Sequence, residues 1–320
     1  MEVKVRAIIN PISGTASKLK VPKLIEQMCR NNRWTYSISF TEFQGHATLL
    51  AQQAIEDGAT HIIAVGGDGT INEVARALVL TNVILCIIPM GSGNGLAREL
   101  HIPMDVRRAF DVISKTHETV IDCCKANERI FFCTCGVGFD AAVSKKFADE
   151  KHRGSLTYIK SAINEYLSYQ PEQYELQIAD QTISEKAFLI ACGNASQYGN
   201  NAYITPRANI QDGKLDITIL SPFTPLDIGQ LALQLFTRQL ERSNKIKTFS
   251  GKEAVIIRQK PGIMHLDGEP IAAEQKIVVS VIPNSLHVIV PEVVSISTEV
   301  QGIFDDITNF FPKKMPYIFR

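Results

Sequence analysis

Two rhythms of apolar and polar positions run along the 320-residue chain. Up to about residue 115, short apolar runs alternate with longer segments whose apolar residues recur every three or four positions. The runs Val3–Ile9, Thr35–Phe40, His61–Val65 and Val83–Ile88 predict strands. The segments 17–31, 46–56, from the glycines after Val65 to about Leu80, 96–100 and 105–114 predict helices. Strand–helix alternation implies a parallel sheet with helices on both faces and right-handed crossovers. The loops at 10–14, 41–45, 66–70 and 90–95 then all leave the carboxyl ends of their strands, where open α/β sheets bind ligands.

From about residue 118 the rhythm shortens. Strands are expected at Thr119–Cys123, Arg129–Cys135, Tyr174–Ile178, Lys186–Cys192, Leu215–Leu220, Ala254–Arg258, Lys276–Val281 and Leu286–Val290, with helical stretches only at 155–168 and 225–240. The expected fold class is α/β: an N-terminal doubly wound parallel-sheet domain, residues 1–126, followed by a C-terminal antiparallel β-sandwich, residues 127–291. The segment 292–320 starts periodically (Val294, Ile296) and ends in the aromatic and basic run Phe310–Arg320; it is expected to pack back and complete the first domain.

Composition narrows the partners. Thirty-three basic and thirty-three acidic residues balance, so no overall field draws the chain to nucleic acid. The charged start Met-Glu-Val-Lys-Val-Arg has no signal-peptide core, and no run approaches the ~20 apolar residues of a membrane span. A cytoplasmic protein is expected. The seven cysteines are odd in number and irregular in spacing, and Cys133-x-Cys135 near Cys123–Cys124 fits no usual zinc pattern; reduced core thiols are expected.

The chemistry concentrates at residues 61–73. An apolar strand turns through Gly66, Gly67 and Gly69 into a segment with Ile71, Val74, Ala75 and Leu78 at helical spacing. Such a turn offers backbone N–H groups and the positive end of a helix dipole to phosphate. Asp68 stands inside it. A carboxylate beside phosphate calls for an intervening cation, which suggests Mg²⁺; the alternative is a turn aspartate capping the helix. One helix and one strand later comes Gly91-Ser92-Gly93-Asn94-Gly95. Neither glycine cluster fits the dinucleotide-binding or P-loop spacing, which disfavours a dehydrogenase.

Together these motifs resemble the diacylglycerol kinase catalytic family, the bacterial lipid kinases with sphingosine kinases among their relatives, and the resemblance covers nearly the whole chain. Asn10-Pro11 with Ser13-Gly14, Thr41 with Gly45-His46-Ala47, Gly66–Asn72 and Pro89–Arg98 resemble its nucleotide loops. Gly136–Asp140, Arg153-Gly154 with Tyr158, Asp212–Asp216 and Leu266–Pro270 resemble its second half. The resemblance implies an NAD-kinase- and phosphofructokinase-like first domain that binds ATP through Asn10, Pro11, Ser13, Gly14, Thr41, Gly66, Gly67, Asp68, Gly69, Thr70, Asn72, Ser92 and Asn94. It implies Asp68 and Glu269 as catalytic residues, the latter the base for the acceptor hydroxyl. By residue type alone, Asp267-Gly268 before Glu269 also reads as a plain hairpin tip. The family's Mg²⁺ site carries over to Asp212 and the carbonyls of Asn209 and Lys214. The implied activity is ATP-dependent phosphorylation of a lipid hydroxyl, diacylglycerol to phosphatidic acid first, by an enzyme peripheral at the inner membrane face, with a homodimer among its options for assembly.

One departure stands out. Gly95 occupies the position where many bacterial relatives have an aspartate, and Gly-Ser-Gly-Asn-Gly looks more like the sphingosine or ceramide kinase branch. A sphingoid base is therefore the alternative acceptor. A NAD-kinase-like small-molecule kinase and a non-catalytic lipid or nucleotide binder are further alternatives. His46 and His101 are expected to be structural. Lys18, Arg98, Lys151 and Arg153 are expected to be solvated singly and to form a basic rim as a group.

Overall fold

The computed structural model describes residues 2–12, 20–148, 166 and 168–292. Ser13, Gly14, Lys18, Lys151, Arg153, Gly154, Tyr158, nearly all of the helix expected over 155–168, and the segment 293–320 lie outside the described residues.

The first half follows the apolar rhythm closely. It forms β1 (Lys4–Ile9), α1 (Val21–Asn32), β2 (Thr35–Phe40), α2 (His46–Glu56), β3 (His61–Gly66), α3 (Asp68–Leu78), β4 (Ile84–Pro89), α4 (Gly95–Glu99) and α5 (Val106–Lys115). The four strands are parallel in the order β2-β1-β3-β4. Central β3 is buried at all six positions, which is why its sequence is an unbroken apolar run; β2 at the edge keeps half-exposed positions. Helices α1 and α5 pack together, as do α2 and α3, so the sheet is covered in pairs. Ile8, Ile63, Ile87 and Ile88 of the strands meet Ile25, Ala51, Ile71, Leu78 and Phe110 of the helices in one core.

The second half forms β5 (Glu118–Ala126), β6 (Arg129–Phe131), β7 (Thr134–Gly138), α6 (Phe139–Ala148), β8 (Glu172–Ile178), β9 (Gln181–Ala187), β10 (Leu189–Gly193), β11 (Leu215–Leu220), α7 (Ile228–Phe236), β12 (Ile246–Gly251), β13 (Glu253–Arg258), β14 (Gly262–Leu266), β15 (Glu269–Ala273) and β16 (Lys276–Ile289). One antiparallel sheet runs β12-β11-β10-β7-β14-β15. The other includes β9, β8, β13, β16, β5 and β6 and is continuous with the first-domain sheet. Leu176, Ile256 and Val279 of this sheet and Val137, Ile190, Ile217 and Met264 of its partner share a separate buried core, the interior of a sandwich.

Four of the expected strands differ. The strand expected over Arg129–Cys135 is split, with β6 in one sheet and β7 in the other; adjacent Phe131 and Phe132 bury into the sandwich core and the first-domain core respectively. Lys186–Cys192 is likewise divided between β9 and β10. Phe188, at the break, joins a third cluster with Leu189, Leu220 and Leu231. Lys276–Val281 and Leu286–Val290 are instead one strand, β16, with a register shift between Ile282 and Leu286. That irregularity lets β16 change neighbours: its first part pairs antiparallel with β13, and Val288 pairs in parallel with Leu85 of β4, while β5 pairs with it on both sides of the shift, from Val279 to Ile282 and from Leu286 to Ile289. The two halves are therefore joined by a shared strand pair.

Candidate functional site

The glycine-rich turn and the 91–95 loop are built against each other. Gly67 and Gly91 approach so closely that a Cβ on Gly91 would lie 2.7 Å from the Gly67 Cα and 2.8 Å from Asn94 Oδ1. A Cβ on Gly66 would lie 2.6 Å from the Thr70 Cβ. Asp68, at the first position of α3, reaches across: its Oδ2 accepts the Asn94 N–H at 2.8 Å and its Oδ1 the Gly95 N–H at 2.6 Å. The carboxylate thus caps α4 from the start of α3, a favourable place for negative charge. Asn94 holds left-handed backbone (φ 52°) and ties the loop to itself: Oδ1 accepts from Gly91 N and Nδ2 donates to the Gly91 carbonyl. Arg98 is not merely solvated, because its Nε donates to the Gly93 carbonyl at 3.0 Å. Ser92 is exposed at the loop's tip.

We expect Gly91→Ala to cost about 1–3 kcal/mol of stability, because the new methyl meets backbone and an immobilised amide. Gly229→Ala in α7, where nothing lies within 4 Å, should be neutral or stabilising by up to about 1 kcal/mol. Urea denaturation of both variants checks the contrast.

The other two loops dock on the same structure. Asn10 donates from Nδ2 to Thr70 Oγ1 at 2.9 Å, and its Oδ1 accepts the Ile12 N–H, so Asn10 spans the β1 end and α3. Pro11 lies exposed beside it, and Thr41 is buried with its N–H on the Ile9 carbonyl. Glu73 of α3 accepts the N–H groups of Gly45 and Ala47 with its two carboxylate oxygens, at 2.8 and 3.1 Å. His46 Nδ1 accepts the Glu42 N–H, a local turn contact.

From the other half of the chain, the β14–β15 hairpin reaches α3. Asp267 (φ 49°) and Gly268 (φ 83°) make its tight turn, with the positive dihedrals such a turn requires. Asp267 is more than a turn residue. Its carboxylate accepts N–H groups from Phe132 (2.9 Å), Cys133 (2.7 Å) and Thr134 (3.0 Å), and Nδ2 of Asn72 (3.1 Å). Burial pushes its carboxyl up, while the backbone donors and Arg76 pull the other way. Glu269 follows directly. Its Oε2 lies 3.4 Å from Arg76 Nη2, and its Oε1 would lie 3.5 Å from a Cβ on Gly69. Asn72 and Arg76, one turn apart on α3, thereby hold Asp267 and Glu269 over the start of that helix.

Beneath the hairpin lies a buried polar chain. Asp140 Oδ2 accepts from Tyr198 OH at 2.9 Å and lies 3.1 Å from His265 Nε2; Ala141 N–H donates to Asp140 Oδ1. His265 Nδ1 faces the Gly268 N–H at 3.4 Å, which favours the tautomer with the proton on Nε2. Tyr198 connects to the 91–95 loop, since a Cβ on Gly95 would sit 3.2 Å from the Tyr198 carbonyl.

The residues of the expected metal set lie near Asp122. Gly213 N–H donates to Asp122 Oδ2 at 2.7 Å, and Asn284 N–H to Asp122 Oδ1 at 2.7 Å. Asp212 Oδ1 accepts the Lys214 N–H, and the Asn209 carbonyl faces the Asp212 N–H at 3.3 Å. Burial, together with the negative charge of Asp212, pushes the Asp216 carboxyl up to about 6. Lys214 and Arg207 act in the opposite direction.

Glu73, Arg76, His265 and Tyr198 went unread in the sequence, as did the acceptor role of Asp267. Glu73 and Arg76 follow the glycine motif on its own helix, but nothing local signals their partners. All seven cysteines are buried free thiols, and burial raises the thiol pKa of Cys29, Cys86, Cys123, Cys124, Cys133 and Cys135. They are core side chains.

Residues 4–126 match the diacylglycerol kinase catalytic domain, and residues 133–290 match the YegS C-terminal NAD kinase beta sandwich-like domain. A protein of Pectobacterium atrosepticum named probable lipid kinase YegS-like is 30% identical over 270 residues, covering 82% of this chain and 88% of its own length. One of the same name from Pseudomonas putida is 28% identical over 249 residues, covering 76% and 82%. A diacylglycerol kinase structure from Bacillus anthracis superposes with TM-score 0.74 at 22% identity, covering 91% of this chain and 98% of the other. An NAD kinase of Archaeoglobus fulgidus in complex with ATP shares the fold at TM-score 0.53 and 10% identity, covering 95% and 98%. The glycine-rich turn with Asp68, the docked 91–95 loop and the hairpin carrying Glu269 therefore sit in a chain that belongs to the diacylglycerol kinase catalytic-domain family, and it is a kinase.

Proposed function

We propose that this kinase transfers the γ-phosphoryl group of ATP to the hydroxyl of a membrane lipid, diacylglycerol first and a sphingoid base as the alternative acceptor. The carrying observation is that a carboxylate from the second half, Glu269, stands beside Gly69 at the amino end of α3. Phosphoryl transfer needs little covalent help; it needs positioning, charge neutralisation and a place for the hydroxyl proton. The first amides of α3 have no intrahelical partners and lie at the turn where Gly67 and Gly91 bring the two loop backbones together. In this reading those amides receive the phosphate chain. Asn10, Pro11, Thr41, Thr70, Asn72, Ser92 and Asn94, with Ser13 and Gly14, make up the proposed nucleotide surface. Among them Asn72 and Asn94 act through the loops they tie down.

Glu269 takes the proton from the acceptor hydroxyl, with Arg76 and the Asp267 turn fixing its carboxylate. Asp68 sets the spacing of the two glycine loops and, in this reading, orders the cation that accompanies the phosphates. Mg²⁺ bound with ATP would neutralise the charge on the transferring group. Residues 1–126 act as the nucleotide half and 127–291 as the acceptor half. Lipid extracts incubated with labelled ATP should give a labelled phospholipid, identified by mass spectrometry. Label appearing on NAD and on no lipid would refute the acceptor assignment.

Asp212, with the carbonyls of Asn209 and Lys214, offers hard oxygen donors of the kind a structural Mg²⁺ takes. A ligand at a hundred times its dissociation constant stabilises by about 2.7 kcal/mol, so saturating Mg²⁺ should raise the melting temperature by a few degrees. Asp212→Ala should abolish that rise. An equal Mg²⁺ shift in wild type and variant would remove Asp212 from the site.

A further inference from the structure

We propose that the buried pair Asp140 and His265, with Tyr198, is the positioning device that sets the hairpin carrying Glu269 against the 91–95 loop. The inference rests on the reading of Glu269 as the base and names the residues that aim it from below. The pair occupies a space that the sequence keeps open. His265 of β14 stands opposite Gly136 of β7 in the sheet. A Cβ on Gly136 would lie 2.2 Å from Asp140 Oδ2 and 2.9 Å from His265 Nε2, so a larger residue there would push the two side chains apart. Asp140 comes from the first turn of α6, which follows β7 directly, and the positive end of that helix favours its charge. Asp140 is 4% exposed and His265 1%. A carboxylate buried this deeply is costly unless its oxygens are used. Here Oδ1 accepts the Ala141 N–H, while Oδ2 accepts from Tyr198 OH and lies 3.1 Å from His265 Nε2.

The tautomer gives the chain of contacts a direction. As a carboxylate, Asp140 only accepts, so the proton of a neutral His265 sits on Nε2 and Nδ1 is left as an acceptor. That acceptor takes the Gly268 N–H at 3.4 Å. Gly268 has left-handed backbone (φ 83°) and immediately precedes Glu269. Nothing would lie within 4 Å of a Cβ on it, so its amide, not packing, ties this residue to the core. The Asp267 N–H before it is bound to the Thr134 carbonyl at 2.8 Å. Thr134 thus anchors one peptide of the turn and His265 the next.

The other end of the chain reaches the 91–95 loop. The Tyr198 ring stands edge-on to His265, with centroids 5.8 Å apart. Gly199, Asn200 and Asn201 follow with positive φ (119°, 49° and 59°). The Tyr198 N–H donates to the Ala202 carbonyl and the Ala202 N–H to the Gly199 carbonyl, which closes this loop on itself. It lies on residues 91–95 at two points: a Cβ on Gly95 would be 3.2 Å from the Tyr198 carbonyl oxygen, and one on Gly199 would be 3.4 Å from the Gly93 carbonyl oxygen. Contacts serving stability alone would end in the core. These end at the residue before Glu269 and at the loop whose amides Asp68 holds. One buried carboxylate therefore registers the base against the nucleotide side of the site.

The test compares His265→Asn with His265→Gln in steady-state transfer from labelled ATP to a detergent-dispersed lipid extract or to NAD, whichever the wild type phosphorylates. Asparagine places its carbonyl where Nδ1 stands and keeps an acceptor for Gly268. Glutamine reaches Asp140 with its NH₂ but offers Gly268 nothing at the Nδ1 position. Each loses one of the two hydrogen bonds, so a purely structural role predicts equal kcat. We expect kcat to fall about 10–100-fold in His265→Gln, the effect of slightly misplacing a reacting group, and to stay within about threefold of wild type in His265→Asn. KM for ATP should be nearly unchanged in both. Tyr198→Phe leaves the pair intact and should instead raise KM for ATP by about 2–10-fold, the worth of one hydrogen bond; it removes only a hydroxyl and keeps the test open if a His265 variant does not fold. On a Glu269→Gln background, His265→Gln should cost no more than about twofold further, because no base is left to aim. Equal kcat in the two His265 variants overturns the proposal and leaves the base reading standing. So does a loss from His265→Gln that is as large on the Glu269→Gln background as on wild type, or an unchanged KM for ATP in Tyr198→Phe. Transfer by Glu269→Gln itself within tenfold of wild type overturns the base reading, and the proposal with it.

Discussion

Glu269→Gln is expected to lower the rate of phosphoryl transfer by about 10²–10⁴-fold, the usual worth of a positioned general base. ATP affinity should stay within a few-fold of wild type. The substitution keeps the side chain's shape and loses only the charge and the ability to take a proton. The group it leaves behind, Arg76, is 3.4 Å away and both side chains are partly exposed. An ion pair of that kind is worth about 0–1 kcal/mol, so the melting temperature should barely move and lost activity cannot be ascribed to unfolding. Arg76→Gln serves as the control. If Arg76 only steadies the carboxylate, that variant should lose far less activity than Glu269→Gln. Single-turnover kinetics with ATP binding measured by calorimetry would check both, and transfer by Glu269→Gln within tenfold of wild type would end the assignment.

A second large effect is expected at a residue that need touch neither substrate. Asp267→Ala removes the acceptor for three backbone N–H groups and the Asn72 amide. Each buried donor left unpaired costs about 1–3 kcal/mol, so a loss of about 3 kcal/mol or more is expected even after water enters. Asp267→Asn should be nearly as harmful. Oδ1 faces the amides of Cys133 and Thr134, and Oδ2 faces Phe132 N–H and Asn72 Nδ2, so either orientation of an asparagine points its NH₂ at two donors. Transfer activity should fall along with stability, because the same turn aims Glu269. Guanidinium denaturation of both variants reads the first effect and steady-state rates read the second. A denaturation midpoint unchanged in Asp267→Asn would contradict the account of this carboxylate as the pin of the hairpin.

These two residues also mark how far the site was legible. The Asp-Gly pair predicts a tight hairpin, because positive dihedrals are a local demand that Asp and Gly meet cheaply. What Asp267 holds could not be read, since its partners lie 133–135 residues back in the chain at Phe132–Thr134, and 195 residues back at Asn72. Asp68 is a similar case. Reading it as a helix-capping aspartate was right in kind, but the helix it caps is α4, not its own. Asn72 appeared as a nucleotide contact because it ends the glycine motif, while the fold directs its amide to the hairpin. Arg98 looked solvated because a lone arginine gives no hint of the Gly93 carbonyl beside it. Among the strands, Phe131-Phe132 read as one apolar run because two adjacent buried aromatics look continuous in one dimension, although they enter different cores.

By itself, the sequence determined the parallel first half: its strands to within a residue or so, the loops gathered at one sheet edge, and the glycine turn that leads from β3 into α3. Those features follow from periodicity, from burial on both faces of a central strand, and from the turn that glycine permits, all within a few residues of the signal. Tertiary structure alone decided which of two sheets each later strand joins, that β16 serves both halves, and that Asn72 and Arg76 grip a hairpin nearly two hundred residues away. Such choices depend on pairings between distant segments, where many partners are chemically equivalent and only the packed arrangement selects one. The strand-to-helix turn at Gly66–Asp68 is signalled by its own glycines, whereas Glu269 comes beside Gly69 only through the folding of the second half.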